Sequence, residues 1–216
     1  MTPDLLADLP PVAATERLVQ GASVLRAFAA ADAGALVAAL EAVASVSPFR
    51  RMTTPGGHLM SVAMTNCGEG GWVTDRAGYR YQPDDPETGR PWPAIPAVFL
   101  DLAGRAAAAA GFSGFHPDAC LVNRYEPGTR LALHQDRNER DFGQPIVSVS
   151  LGLPAIFLFG GSRRSDRPRR VPLAHGDVVV WGGPSRMAFH GVAALADGLH
   201  PATGRLRFNL TLRKAL

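Results

Sequence analysis

A chain of 216 residues, 46% hydrophobic and 19% charged, is long enough for one domain with a substantial core and has the balance of a soluble globular protein. Two cysteines, Cys67 and Cys120, exclude a disulfide framework and fit reduced thiols, hence a cytoplasmic protein; no basic-then-apolar leader is evident and no apolar run is long enough to span a membrane. The net charge is +3, and of 22 basic side chains all but Lys214 are arginines, which suits a polyanionic partner and equally an arginine-rich codon bias.

Residues 1–30, rich in Ala and Pro, read as an irregular lead-in. Asp32 can cap a helix from Ala33 to Ser45, with Leu36, Val37, Leu40 and Val43 at helical spacing. Residues 48–96 are dense in Gly, Pro, Thr and aromatics, with short strand-like runs at Met60–Thr65 and Gly78–Tyr81. A second helix is expected over Ala97–Ala110, stopped by Gly111. After Pro117 come short β-runs: Ala119–Tyr125, Arg130–His134, Ile146–Leu151, Ala155–Phe159, Asp177–Trp181, Met187–His190 and Leu206–Leu212. Strands this short and this closely spaced predict a sandwich or barrel, so the fold class is β-rich α+β, and no internal repeat is visible.

Side-chain parity carries the next inference, because residues alternate sides along a strand. In the last run Arg207, Asn209, Thr211 and Arg213 share one face, and Leu206, Phe208, Leu210 and Leu212 the other; Asn123 and Tyr125 likewise share a face opposite Val122. An amphipathic strand at a surface would alternate in the same way. If the polar faces converge instead, two guanidinium forks with amide and phenol donors suit a small dicarboxylate, while the apolar faces pack outward on helices.

The histidines divide. His58, His116 and His200 are expected to be structural or exposed, and His175, before Gly176-Asp177, structural in a turn. His134 and Asp136, two apart at a strand end, point the same way, and His190 lies 54 positions beyond Asp136 with Gly191 behind it. Two histidines and a carboxylate can hold one face of an iron(II) ion and leave positions open for co-substrate and oxygen. His-x-Asp alone occurs by chance; the downstream His190 and then Arg207 make the pattern specific.

That pattern, His134-x-Asp136, His190, then Arg207-x-Asn209-x-x-x-Arg213, resembles the iron(II)/2-oxoglutarate dioxygenases. The segments Pro117–Tyr125, Leu133–Asp136, Ile146–Gly152 and His175–Gly183, with Thr54–Gly57 and Met60–Gly68 upstream, narrow the resemblance to the bacterial AlkB family of nucleic-acid dealkylases. It runs from about residue 48 to 213 and is looser before that. It implies a double-stranded β-helix (jelly-roll) core at 97–216 under a recognition lid at 48–96, with residues 1–47 packed on the core as part of one structural unit. It also implies that His134, Asp136 and His190 ligate Fe(II), and that Asn123, Tyr125, Arg207, Asn209 and Arg213 hold 2-oxoglutarate. The implied reaction couples decarboxylation of 2-oxoglutarate by O2 to hydroxylation of an N-methyl group on bases of the 1-methyladenine and 3-methylcytosine type, whose hemiaminal then loses formaldehyde.

A methyl group on a pairing edge is unreachable inside a duplex, so the base must be single-stranded, in DNA or RNA, or flipped out, and then needs aromatic walls. Trp72 and the His134 ring are the candidate walls, with Thr54, Met64, Tyr79 and Tyr81 as neighbours; as a lone residue, Trp72 would equally anchor a glycine-rich loop. Arginines 163, 164, 167, 169 and 170 form a basic run between strands that either touches phosphates or is simply solvated. Arg164 is its family-like position, and Arg50, Arg51 and Arg130 could extend the track. One departure stands out: where the family places an acidic pair, Asn138 precedes Glu139, and an amide both donates and accepts, so base discrimination is in question. A monomer that binds nucleic acid and no membrane is the expected state. Two other readings stay open: a hydroxylase of this class acting on a small molecule or protein side chain, and a non-catalytic metal-containing nucleic-acid-binding module.

Overall fold

In the computed structural model, which describes residues 14–216, two helices lie on one side of a pair of packed sheets. The strands are β1 (Ala14–Val19), β2 (Ala22–Arg26), β3 (Ala63–Gly68), β4 (Gly71–Asp75), β5 (Gly78–Gln82), β6 (Ala119–Tyr125), β7 (Leu131–His134), β8 (Ile146–Gly152), β9 (Ala155–Phe159), β10 (Arg169–Leu173), β11 (Val178–Trp181), β12 (His190–Val192) and β13 (Arg207–Arg213). The helices are α1 (Ala33–Val46) and α2 (Ala97–Ala109). The larger sheet has the order β1-β2-β11-β8-β13-β6-β3, the smaller β10-β9-β12-β7, and β4-β5 form a separate hairpin. All pairings between these strands are antiparallel. From β6 onward the chain crosses between the two sheets, staying in the smaller one only for the β9–β10 hairpin, and leaves four strands in each, which is the double-stranded β-helix expected from the sequence.

Parity sorts the side chains as the sequence predicts. One face of the larger sheet gives Val122, Val147, Val149, Phe208, Leu210 and Leu212 to a core shared with Leu36, Leu40 and Val43 of α1 and Phe99, Leu102 and Ala106 of α2. The opposite face meets the smaller sheet through Leu121, Ile146, Val179 and Trp181 against Phe157, Phe159 and Val171. Asn123, Tyr125, Arg207, Asn209, Thr211 and Arg213 are all buried on that inner face. The polar stripe of β13 is therefore an interior wall, and the surface-strand alternative falls.

Five readings need correction. Residues 14–26 of the supposed lead-in are strands: β2 joins β11 from Ala22↔Trp181 to Leu25↔Val178, and residues 1–13 lie outside the described part. β3, inside the 48–96 segment expected to form a lid, is instead a strand of the larger sheet beside β6, while β4 and β5 form a separate hairpin. Asp32 makes no cap hydrogen bond, because its backbone is already helical (φ −90°, ψ −7°) and its carboxylate accepts from Arg105 Nη2 of α2 at 2.7 Å. Arg169 and Arg170 belong to β10, an edge strand where Pro172 is tolerated. The strand expected at 187–190 begins at His190 and runs to Val192.

The remaining histidines behave as expected. His58 and His116 are exposed, and His175 Nδ1 accepts from the Gly152 N–H at 2.9 Å with the His200 ring 4.4 Å away. Cys67 and Cys120 are free and buried, facing one another across β3 and β6.

Candidate metal and co-substrate centre

His134 and His190 are direct partners on β7 and β12, so two neighbouring strands bring their imidazoles to one point, with ring centroids 4.3 Å apart. β12 lies close enough because residue 191 is glycine: a Cβ there would sit 2.6 Å from the Leu131 carbonyl oxygen. Asp136, two residues past His134, turns its carboxylate between the rings, with Oδ1 3.6 Å from His134 Nε2 and Oδ2 3.6 Å from His190 Nε2. The ligand atoms of the three residues lie within 4.8 Å of one another, a spacing that one ion can bridge.

Both rings are set for coordination. His134 Nδ1 lies 2.9 Å from the Ala132 carbonyl and His190 Nδ1 3.0 Å from that of Ala188. A carbonyl only accepts, so each Nδ1 carries the hydrogen and each Nε2 presents its lone pair to the cluster. Burial, then the positive potential of His134, lowers the His190 pKa to about 4, so the ring is neutral at physiological pH. Burial alone would raise the pKa of Asp136; the Arg213 guanidinium, then the two imidazoles, hold it well below the usual carboxylate range.

Behind the cluster lies a layer that sequence reasoning missed. Arg213 Nε and Nη2 donate to Asp136 Oδ2 at 2.9 and 2.7 Å, and its Nη1 donates to Tyr81 Oη at 3.2 Å. Tyr81 in turn donates to the buried Glu139 at 2.7 Å. Arg186, also buried, pairs with Glu139 at 3.2 Å and donates to the Asp136 carbonyl at 2.9 Å; Gln135 donates to the Met187 carbonyl at 2.6 Å. The segment after β7 is thus clamped onto the segment before β12. An arginine four positions ahead of His190 was the available signal. Arg213, expected to grip the co-substrate, lies in the same cavity but already has the Asp136 carboxylate as partner, so in this structure it orients the cluster.

At the other end of β13 the situation reverses. Arg207 is 1% exposed and, among the described residues, donates only from Nη2 to Ser150 Oγ at 3.1 Å and leaves Nε and Nη1 without partners. Its guanidinium lies over the Tyr125 ring, 5.0 Å from the centroid. Burial pushes the Arg207 pKa down with only Tyr125 opposing it, and burial pushes Tyr125 up to about 12. Asn123 Oδ1 is also buried and unpartnered. Asn209 differs: its Nδ2 donates to Ser148 Oγ and the Val149 carbonyl, and its Oδ1 accepts from Thr211 and Asn123, so it orders its neighbours. A buried guanidinium with no counter-ion is costly unless a ligand supplies one. Its free donors fit a carboxylate, and the His-Asp-His donor set fits iron(II), so the residues present suit both groups.

One cavity of about 650 Å³ connects Arg207 to the metal cluster and continues to a mouth framed by Trp72, Tyr79, Thr54, Asn138 and Arg164, with Met64 in its wall. Trp72 is half-buried on β4: Asn66 holds its backbone N–H and carbonyl, each at 3.0 Å, and its ring stacks on Tyr79, with centroids 5.6 Å apart. Its indole N–H donates to Asn138 Oδ1 at 3.2 Å. Tyr81 faces Trp72 in register on β5 but turns its hydroxyl to the buried layer.

The basic track is shorter than expected. Arg164 is at the mouth with its guanidinium 6.0 Å from the centroid of the Phe189 ring, and Arg130 is exposed beside it; Arg163, Arg167 and Arg170 are exposed. Arg169 instead donates to the Leu18 carbonyl. Arg50 leaves the track altogether, forming a two-pronged pair with Asp85 at 2.5 and 2.6 Å beneath Trp92, and Arg51 pairs with Glu126 at 3.4 Å.

A jelly roll whose inner face joins a three-ligand metal cluster to an unsatisfied arginine is the architecture of a co-substrate-dependent iron oxygenase, and residues 21–213 match the 2OG-Fe(II) oxygenase superfamily. The match extends to particular relatives: the chain is 58% identical over 212 residues to "Alpha-ketoglutarate-dependent dioxygenase AlkB" of Escherichia coli (strain K12), covering 98% of this chain and 97% of that one. It is 36% identical over 122 residues to "Nucleic acid dioxygenase ALKBH1" of Mus musculus, covering 56% of this chain and 31% of the mouse protein. The solved structure described as "The structure of OsALKBH1" superposes with a TM-score of 0.80 at 28% identity, covering 93% of this chain and all of that one. The chain therefore belongs to the AlkB family of Fe(II)/2-oxoglutarate-dependent dioxygenases. Iron(II), 2-oxoglutarate and O2 are its cofactor and co-substrates.

Proposed function

We propose that this dioxygenase removes alkyl groups from the nitrogen atoms of bases in single-stranded nucleic acid, acting as a monomer in the cytoplasm. The observation that carries the reading is the continuity of one cavity from the unpartnered Arg207, past His134, Asp136 and His190, to a mouth bearing Trp72 and Arg164. The names borne by the relatives, a nucleic-acid dioxygenase among them, give the substrate class.

In this reading His134, Asp136 and His190 hold Fe(II). The bound metal, with 2-oxoglutarate and O2, supplies the oxidising power that breaks a C–H bond of an N-methyl group. The chain's own residues supply the rest. Arg207 forks onto the far carboxylate of 2-oxoglutarate, with Tyr125 and the free Asn123 oxygen beside it, and Asn209 keeps Asn123 in place. Arg213 fixes the Asp136 carboxylate and keeps it ionised. Trp72 and the His134 ring bracket the base, Arg164 meets a backbone phosphate, and the β4–β5 hairpin excludes water. The hydroxylated N-methyl group is a hemiaminal and expels formaldehyde, leaving the restored base.

The test incubates the purified protein with Fe(II), 2-oxoglutarate and a single-stranded oligonucleotide carrying one 1-methyladenine, following base mass and succinate. Loss of one methyl with stoichiometric succinate is the expected result. Succinate without demethylation would move the substrate to a small molecule or protein side chain, and neither product would leave a metal-containing binding module.

A further inference from the structure

Two walls of the cavity mouth meet at a junction that lies outside the cavity itself. Building on the nucleic-acid reading above, we propose that Asp118 is a positioning residue for that substrate. With residues 214–216 it forms a strut that sets the spacing between the β4–β5 hairpin, which carries Trp72, and the 137–143 loop beyond the metal cluster.

β13 ends at Arg213, and a segment leaving a sheet needs new acceptors for its next N–H groups. Asp118, just before β6, supplies them. Its buried carboxylate accepts from the Ala215 N–H on Oδ1 at 2.6 Å and, on Oδ2, from the Leu216 N–H at 3.2 Å and the Lys214 ammonium at 2.6 Å. Its own N–H donates to the Arg213 carbonyl at 3.0 Å. Hydrogen bonds to an ionised acceptor are the strong ones, so one side chain fixes the whole segment, and Ala215 is buried in consequence.

From this junction contacts reach both walls. On the hairpin side, the Glu69 N–H donates to the Asp118 carbonyl at 2.8 Å, and Leu216 packs over Gly70 so closely that a Cβ there would lie 3.2 Å from Leu216 Cδ1. Trp72 follows directly on β4. On the metal side, the Ala215 carbonyl accepts from the Arg140 N–H at 3.1 Å. The Trp72–Asn138 hydrogen bond at the mouth closes the ring of contacts. A base stacked between Trp72 and the His134 ring is sensitive to this spacing, since a gap of about 0.5–1 Å forfeits roughly a quarter to a half of the dispersion attraction. The metal cluster is held separately. Arg213 and Arg186 grip Asp136, and Arg213 stays paired with Ala119 in the β13–β6 ladder. The strut therefore acts on nucleic-acid binding and leaves iron and 2-oxoglutarate binding alone.

Two substitutions test it. Asp118→Asn is nearly isosteric but turns one acceptor into a donor that faces the donors of residues 214–216. Leu216→Ala, at a position 37% exposed, removes only the packing on Gly70. The unmodified protein and both variants are loaded with Mn(II) and 2-oxoglutarate. Each is titrated by fluorescence anisotropy with a labelled single-stranded oligonucleotide carrying one 1-methyladenine, and backbone hydrogen exchange is followed by mass spectrometry. Asp118→Asn should weaken oligonucleotide binding by roughly tenfold, the scale of one charge-assisted hydrogen bond, and Leu216→Ala by less. In both, exchange over 70–82 and 137–143 should quicken together, while β8, β11 and the affinities for Mn(II) and 2-oxoglutarate stay as they are. Oligonucleotide affinity that stays within about twofold in both variants, the scatter of independent sites, overturns the proposal and leaves dealkylation intact. So does exchange that quickens throughout the chain. Should Asp118→Asn not fold, Leu216→Ala decides by the direction of the same two measurements. An unmodified protein that does not bind the oligonucleotide removes the nucleic-acid reading and this one with it.

Discussion

The two ends of β13 carry buried arginines six positions apart on one face, and they stand in opposite circumstances. Arg213 meets Asp136, Tyr81 and Glu139; Arg207 has one serine hydroxyl and two unused donors. A buried charge whose partners come from the chain itself holds the architecture. A buried charge without one is stabilised only when a ligand arrives, so it marks where the ligand goes. The same strand thus contains a positioning end and a receiving end, with the metal cluster nearer the first.

The comparison is broken most severely at Asp136. Asp136→Ala removes a metal ligand and strands Arg213 as an unpaired buried cation. It should abolish iron binding and demethylation and cost the metal-free protein about 3–5 kcal/mol in urea unfolding. Undiminished stability would mean that Arg213 is not held as described. Arg207→Met tests the receiving end and should do the opposite to stability. The metal-free protein should unfold at equal or higher urea, while 2-oxoglutarate, expected to raise the melting temperature of the unmodified protein, should not raise that of the variant. A strongly destabilised Arg207→Met protein would show that Arg207 has a structural partner.

Tyr81→Phe sharpens the positioning end by removing the bridge between Glu139 and Arg213. A loss of about 1–2 kcal/mol in stability is expected, with iron affinity weakened several-fold and the KM for 2-oxoglutarate unmoved, read by metal titration and steady-state kinetics. The smallest effect is in pH. His190 is shifted from its ordinary 6.5 to about 4, so below pH 6.5 the unfolded chain takes up a proton that the folded chain refuses. Its contribution to stability is complete above pH 6.5 and is lost as pH falls toward 4. The melting temperature of the metal-free protein should decline over that window, with a shallower slope in His190→Asn.

Much of this was legible in the sequence because it depends on parity and local spacing. Alternation alone put Arg207, Asn209 and Arg213 on one face with the apolar residues on helices, and His134, Asp136 and His190 converge as their positions suggested. What stayed hidden depends on distant partners. β1 and β2 lack clean alternation and become strands only against β11, β4 is masked by the glycines around it, and β10 reads as a loop because its arginines and Pro172 suit an edge. Arg50 looks like any other exposed basic residue until Asp85, 35 positions away, is brought to it. The same is true of Arg213: the sequence showed an arginine facing a cavity, and only the folded chain shows which carboxylate it meets. Asn138 was visible as a departure, but the orientation of its amide follows from Trp72, 66 positions distant.

The central claim, that Arg207 is the receiving end for a dicarboxylate beside an independently assembled metal cluster, is tested most directly by calorimetric titration of 2-oxoglutarate into Mn(II)-loaded protein, unmodified and Arg207→Met. The account predicts one site per chain in the unmodified protein and affinity at least about a hundredfold weaker in the variant, the scale of a lost bidentate ion pair, with Mn(II) still bound. Equal 2-oxoglutarate affinity in the two proteins would contradict it.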